Sequence, residues 1–155
     1  MLWFDAQAEQ AAQLYTSIFP DSRITDVRRY GSTGPGAEGS VMTVAFELRG
    51  RRFVALNGGP QYRFTEAVSF VVECESQEEV DRYWTALTAD GGEEGPCGWL
   101  KDRFGLSWQI TPTRLLSLLA DADPERAQRA MAAMLQMRKI EIAEIERAAA
   151  ARPAA

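Results

Sequence analysis

The spacing of apolar residues in the first sixty positions predicts one strand, one helix and three further strands. Apolar residues recur three and four positions apart from Ala8 to Phe19, the pattern of an amphipathic helix, and Pro20 ends it. The runs on either side of this helix have the shorter spacing of strands. These strands are predicted at residues 2–4, 23–30, 41–49 and 53–57.

Glycine marks the connections in this first half. Arg49-Gly50-Arg51 between two strand-like runs predicts a hairpin. Residues 31–39 form a glycine-rich loop, and Gly58-Gly59-Pro60 reads as a turn that needs a positive φ. The first half therefore ends near residue 60.

The second half repeats the order of elements. Ser76 is a candidate N-cap with Glu79 at the capping-box position, and Gly91-Gly92 ends the helix that follows. Superposing the halves at an offset of 68 places Tyr83 on Tyr15. Identity is low, but the common order favours two βαβββ modules. The strands of the second module are predicted at residues 68–73, 98–101 and 106–111.

The chain changes character after Thr111. Thr111 as N-cap with Pro112 at the first position predicts one helix, and Asp123-Pro124 predicts another. A final helical segment carries Ile142 and Ile145. The methionines of this tail favour packing in a core or a dimer over a ligand site, because methionine adapts to irregular gaps.

Composition narrows the function. The 155 residues, 46% hydrophobic and 25% charged, are typical of a single folded domain, and no apolar run approaches the roughly 20 residues of a membrane span. A net charge of −5 without a basic cluster argues against nucleic acid. The N-terminus lacks the pattern of a signal peptide, so we expect a cytoplasmic protein.

Histidine is absent from the sequence. This excludes nucleophile systems that use a histidine base and metal sites with histidine ligands. Cys74 and Cys97 show no CxxC spacing and are expected to be buried free thiols. Any chemistry must therefore use other residues.

Six segments of the chain carry recognisable motifs in a fixed order: Leu2-Trp3-Phe4-Asp5, residues 17–22, residues 56–60, residues 97–102, residues 105–110 and residues 133–137. Together they resemble one known family, the PhnB-like branch of the vicinal oxygen chelate (glyoxalase/bleomycin-resistance/dioxygenase) superfamily, of the "3-demethylubiquinone-9 3-methyltransferase domain" type. The resemblance implies an α+β fold in which two βαβββ modules form a cupped mixed sheet around a ligand, in a homodimer. The expected paired domain covers residues 1–111, with modules at about 1–60 and 67–111, and residues 112–155 form a helical extension on the domain or its dimer partner.

Relatives of this kind hold a divalent metal at positions that correspond here to Leu2, Thr43, Ser69 and Gln109. A neutral amide and two hydroxyls are poor ligands for a transition metal, so we expect no metal and no other cofactor. The methyltransferase description is also unsupported, because the glycine-rich segment 31–39 precedes a strand, whereas nucleotide-binding loops precede a helix.

Alternation assigns the faces of the strands. Leu106, Trp108 and Ile110 should pack under the helices, while Ser107 and Gln109 face the other way. The open face is either a polar ligand pocket or a wet sheet surface. Its candidate ligand-binding residues are Thr43, Glu47, Asn57, Ser69, Glu73, Trp99, Lys101, Ser107 and Gln109.

Roles within this set differ. Glu47 and Glu73 are the only candidates for a general base. No catalytic residue is assigned. Trp99 could stack on a ligand and Lys101 could contact an anion, but an aromatic strand residue beside the charged pair Lys101 and Asp102 also fits a structural role.

We therefore expect a metal-free protein that binds a small molecule. The alternatives are a metal-dependent isomerase, lyase or dioxygenase of the same superfamily, the methyltransferase of the family description, and a structural dimer that docks a partner through its tail. Whether the chain is an enzyme stays open at this point.

Overall fold

A computed structural model describes residues 1–151. The chain divides into two compact units, Met1–Phe64 and Thr65 onward.

The first unit is a βαβββ module, as predicted. Its sheet has the order β1-β4-β3-β2, with β1 parallel to β4 and the other pairs antiparallel. Its elements are β1 (Leu2–Phe4), α1 (Ala8–Ile18), β2 (Arg23–Arg29), β3 (Val41–Leu48) and β4 (Arg51–Asn57).

Alternation along β3 explains the core of this unit. Val44, Phe46 and Leu48 are buried, while the residues between them are half-buried. Helix α1 covers the buried face with alanines and Tyr15, and the small alanines allow the helix to lie close to the sheet. The predicted hairpin is present: Arg49 (φ 47°) and Gly50 (φ 79°) both take the left-handed conformation typical of a two-residue turn.

The second unit begins with another βαβββ module. Its sheet has the order β5-β8-β7-β6, and β5 is parallel to β8. Strand β6 was not predicted, because two exposed glutamates give no apolar signal. The elements are β5 (Ser69–Cys74), α2 (Gln77–Thr88), β6 (Glu93–Glu94), β7 (Trp99–Lys101) and β8 (Ser107–Pro112), with a 3-10 turn at Ala89–Gly91.

The start of α2 confirms the predicted capping box. The Ser76 hydroxyl accepts a hydrogen bond from the backbone N–H of Glu79 at 3.2 Å. The Glu79 carboxylate in turn accepts from the backbone N–H of Glu75 at 2.8 Å, one residue before the cap.

Three helices complete the unit: α3 (Thr113–Leu119), α4 (Pro124–Met134) and α5 (Ile142–Ala150). The predicted N-cap at Thr111 is wrong by one residue, because β8 continues to Pro112, which caps α3. The cap of α4 is confirmed, since the Asp123 carboxylate accepts from the backbone N–H groups of Glu125 (3.0 Å) and Arg126 (3.3 Å).

These helices build a small core of their own. Met134 and Met137 pack against it, which confirms the packing role predicted for this part of the methionine stripe, whereas Met131 is exposed. The buried members are Leu115, Leu118, Ala130, Ile140, Ile145 and Ala149.

The segment between α4 and α5 is tied to the βαβββ module. The Gln77 side chain donates to the carbonyl of Ile140 (3.1 Å) and accepts from the N–H of Ile142 (2.8 Å). Cys97 and Gly98 donate their backbone N–H groups to the carbonyls of Met137 and Arg138. Among residues 1–151, no helix has the length and apolar composition required to cross a bilayer.

Candidate functional site

The sheet of the second unit has one buried face and one open face, as alternation predicted. Leu100, Trp108 and Ile110 are buried, and α2 contacts the strands that carry them. The residues between them, Trp99, Lys101 and Gln109, are only partly buried and lie on the open face.

Pairing of the strands brings the predicted residues of this face together. Ser107 on β8 lies between Ser69 on β5 and Lys101 on β7 as Cα partners. One row further along, Gln109 is paired with Trp99. The Gln109 side-chain N–H donates to the Ser69 hydroxyl at 2.8 Å, so these two predicted residues meet.

Part of this face forms a cleft with a volume of about 450 Å³. Three predicted residues, Trp99, Lys101 and Ser107, line it. The other lining residues were not predicted, because a glutamate in a loop and residues around a two-residue strand carry no recognisable pattern. The added lining residues are Glu66, Glu93, Glu94, Gly95, Pro96 and Leu100.

Ser107 is the unusual residue of the cleft. It is only 1% exposed, and its hydroxyl oxygen has no hydrogen-bond partner within residues 1–151. A buried polar group without a partner costs roughly 1–3 kcal/mol. Such a group in the wall of a cleft is a candidate contact for a ligand.

Among residues 1–151, Lys101 is the only cation that lines the cleft. Its ammonium lies 2.5 Å from the carboxylate of Glu66. The hydrogen bond between them raises the pKa of Lys101 and lowers the pKa of Glu66. Both groups therefore stay charged at neutral pH.

Glu94 is held in the wall by two neighbours. The indole N–H of Trp84 donates to its carboxylate at 2.9 Å, and the guanidinium of Arg138 lies 3.8 Å away. Glu73 lies further along the open face, opposite Thr111, and is exposed. It does not line the cleft.

Asp102 has a structural role. It is 2% exposed, and its carboxylate accepts from the backbone N–H groups of Phe104 (2.9 Å) and Leu106 (3.1 Å) and from the indole of Trp108 (2.9 Å). These bonds fix the turn that joins β7 to β8 and thereby the position of Ser107.

The first unit places two predicted residues on the open face of its own sheet. Thr43 pairs with Leu56 and with Arg28 across the neighbouring strands. Glu47 forms an ion pair with Arg23 at 2.8 Å. Their role in binding stays a prediction.

Asn57 does not belong to this open face. Along β4 it shares the buried face with Ala55, under α1. Its amide oxygen accepts from the N–H of Ala8 (2.8 Å) and its amide nitrogen donates to the carbonyl of Val41 (3.0 Å), so it fixes the start of the helix. It also lines a separate pocket of about 520 Å³ beside Tyr30.

The position assigned to Leu2 also needs correction. Leu2 is 7% exposed and pairs with buried Ala55, so its side chain belongs to the core. Trp3 takes the open face of β1, where its indole N–H donates to the carbonyl of Gly59 at 2.8 Å. Gly59 has φ 89°, as the turn prediction required.

The residues at the positions where the resemblance implies metal ligands do not fit a divalent transition metal. Leu2 offers no donor, and Ser69 and Gln109 are neutral and hydrogen-bonded to each other. No group of three or more acidic, cysteine or histidine side chains suited to a metal occurs in the described part of the chain. Cys97 is partly exposed, contrary to prediction, whereas Cys74 is buried as predicted.

The glycine-rich segment 31–39 joins the antiparallel strands β2 and β3. A Cβ at Gly34 would lie 2.6 Å from the ring of Tyr30, and at Gly36 2.3 Å from it. These glycines therefore allow the loop to lie against Tyr30, and the segment is not the strand-to-helix loop of a nucleotide site.

Comparisons with known proteins agree with this architecture. Two βαβββ modules followed by helices define an α+β protein of the glyoxalase/bleomycin-resistance fold. The sequence profile of the family described as 3-demethylubiquinone-9 3-methyltransferase matches residues 1–111. The chain belongs to this family, in its PhnB-like branch.

Two solved structures are similar to the chain. The PhnB protein from Bacillus cereus, provisionally described as a 3-demethylubiquinone-9 3-methyltransferase, is 36% identical with a TM-score of 0.64; the match covers 72% of this chain and 95% of that one. Protein PA1353 from Pseudomonas aeruginosa is 18% identical with a TM-score of 0.60, over 72% and 92% of the two chains, and supports the fold alone. No curated protein matches.

Proposed function

We propose that the chain binds a small molecule in the cleft of its second module, without a transition-metal cofactor. The observation that carries this proposal is the buried, unpartnered hydroxyl of Ser107 in the wall of a cleft of about 450 Å³. Clefts of this size with apolar walls and few polar groups are typical of small-molecule sites.

The walls indicate the shape of the ligand. Trp99 and Pro96 offer apolar surface, and Trp99 can stack on a flat ring. Ser107 can donate a hydrogen bond to an oxygen at the edge of that ring. A planar molecule with a hydrogen-bond acceptor can stack on Trp99 and accept the hydrogen bond from Ser107.

The family description suggests methyl transfer, and the superfamily suggests metal-dependent catalysis. No described feature favours either one over simple binding, since segment 31–39 lies against Tyr30 and the residues at the metal positions are neutral. The cytoplasmic location, the homodimer and the division into a 1–111 domain with a helical extension stay predictions.

Binding is tested with 2-naphthamide, a flat and uncharged probe that carries one hydrogen-bond acceptor beside its ring. Its dissociation constant would be measured by titration in ligand-observed NMR for the unmodified protein, Trp99→Leu and Trp3→Leu. We expect about a tenfold loss in Trp99→Leu, as for the loss of one stacking wall, and no more than a twofold change in Trp3→Leu.

Trp3 is a matched control, because it is also a partly buried tryptophan on the open face of a sheet but does not line the cleft. Absence of binding to the unmodified protein, or an equal loss in both variants, would contradict the proposed site.

A further inference from the structure

We propose that the ligand of this cleft carries a carboxylate, and that Glu66 is a built-in competitor which this carboxylate displaces from Lys101. The inference rests on the proposed function of the cleft and adds the chemical class of the ligand and the residue that sets its affinity.

The first support is the pairing of two hydrogen-bond donors. Ser107 and Lys101 are Cα partners on neighbouring strands and point to the same face, so their side chains are adjacent. The ammonium has three N–H donors, and Glu66 is its only ion-pair partner among residues 1–151. The Ser107 hydroxyl has no acceptor in that range. A carboxylate has two oxygens and can accept from both groups.

The second support is the place of Glu66. It lies in the turn before β5 and its side chain is 62% exposed, so it can leave the cleft without disturbing the core. Exposed ion pairs contribute little stabilising free energy, so the pair between Glu66 and Lys101 opposes its replacement by an incoming carboxylate only weakly. The low pKa of Glu66 keeps its carboxylate charged, and therefore competing, at neutral pH.

The third support is the charge of the cleft. Glu93 and Glu94 also line it, so an incoming anion needs the positive charge of Lys101 to offset their repulsion. An anion that replaces Glu66 leaves the charge of the cleft unchanged. A neutral ligand needs no such exchange, and its affinity should not depend on Glu66.

The test compares 2-naphthoate with 2-naphthamide, which share the ring and differ in charge. We expect Glu66→Gln to tighten 2-naphthoate by about fivefold and to change 2-naphthamide by less than about twofold. Lys101→Met should remove the difference between the two probes. Titrations would be read by ligand-observed NMR at one low ionic strength.

Glu93→Gln is the matched control. Glu93 is the Cα partner of Lys101 on β6 and lines the same cleft, but no hydrogen bond joins the two side chains. The substitution Glu93→Gln removes the same charge but leaves the Lys101 ammonium paired with Glu66. If Glu93→Gln tightens 2-naphthoate as much as Glu66→Gln does, general electrostatics explains the effect and displacement is refuted.

The outcomes separate the two proposals. Failure of 2-naphthamide to bind the unmodified protein contradicts the proposed function. Binding of both probes with equal response to Glu66→Gln leaves the cleft in place and overturns only the role of Glu66.

Discussion

The side chain of Gln109 donates a hydrogen bond to the hydroxyl of Ser69 at 2.8 Å, from β8 to the parallel strand β5. Both residues lie at positions where the family resemblance implies metal ligands. Each side chain is therefore the hydrogen-bond partner of the other, and neither carries a negative charge that would attract a cation. The polar contact joins the two strands on the open face of the sheet.

This contact predicts the metal content of the protein. We expect protein purified without chelators to carry far less than one equivalent of iron, manganese, nickel or zinc, because neutral oxygens bind such ions weakly. Elemental analysis of the full chain measures this directly. A stoichiometric metal that survives gel filtration would contradict the proposed metal-free function.

Asp102 should be important for stability. Replacement by alanine leaves the N–H groups of Leu106 and Trp108 buried without their acceptor. We expect a loss of about 3–5 kcal/mol in the free energy of unfolding, measured with urea.

Asp26→Ala provides the comparison for this change. Asp26 is an exposed partner of Arg28 in the first unit, so its loss should cost less than about 1 kcal/mol. Equal losses in the two variants would mean that the bonds of Asp102 add little to stability.

The two modules could be predicted because their strands have one buried and one open face. Val44 and Phe46, or Trp108 and Ile110, alternate with more exposed residues over enough positions to fix the register. Local signals also sufficed for the starts of α2 and α4, since the caps at Ser76 and Asp123 depend only on neighbours within three residues.

Other features depend on contacts distant in sequence. The strand Leu2-Trp3-Phe4 is apolar throughout, so no alternation shows that Leu2 is inside and Trp3 outside. Asn57 ends a predicted strand, and its bond to Ala8 spans 49 positions. Glu66 looks like an ordinary surface residue until β7 brings Lys101 beside it. The structure therefore moves Leu2 and Asn57 away from the predicted open face and adds Glu66 to the cleft.

Gly58 should not tolerate a side chain. A Cβ there would lie 2.2 Å from the ring of Trp3, which is held by its bond to Gly59 and by edge contact with Tyr62. We expect Gly58→Ala to destabilise the protein by about 1–3 kcal/mol.

The control for Gly58 is Gly31→Ala. A Cβ at Gly31 would meet no atom within 4 Å, so its effect on urea unfolding should stay within about 0.5 kcal/mol. A Gly58→Ala protein as stable as Gly31→Ala would show that Trp3 can move aside.

The contact between Asp81 and Lys139 should make docking of the segment before α5 depend on pH. The hydrogen bond from Lys139, with a second one from Gln77, lowers the pKa of Asp81, and the same bond from Lys139 raises the pKa of Lys139. A lowered carboxyl pKa stabilises the fold above the unfolded value of about 3.9, and this contribution is lost as pH falls through the lower folded value. A raised lysine pKa stabilises it below about 10.4, and this is lost as pH rises through the folded value.

The stabilising effect of this pair should therefore be constant at neutral pH and disappear in acid. Because the Asp81 side chain is 48% exposed, screening by solvent limits the stabilisation from the ion pair to about 1 kcal/mol at most. We expect Asp81→Asn to accelerate hydrogen exchange at the amide of Ile142 near pH 7, and to match the unmodified protein in free energy of unfolding once the pH is well below 4. Glu78→Gln, an exposed change in the same helix, should alter neither quantity. A difference between Asp81→Asn and the unmodified protein that persists undiminished in acid would show that the ion pair is not its cause.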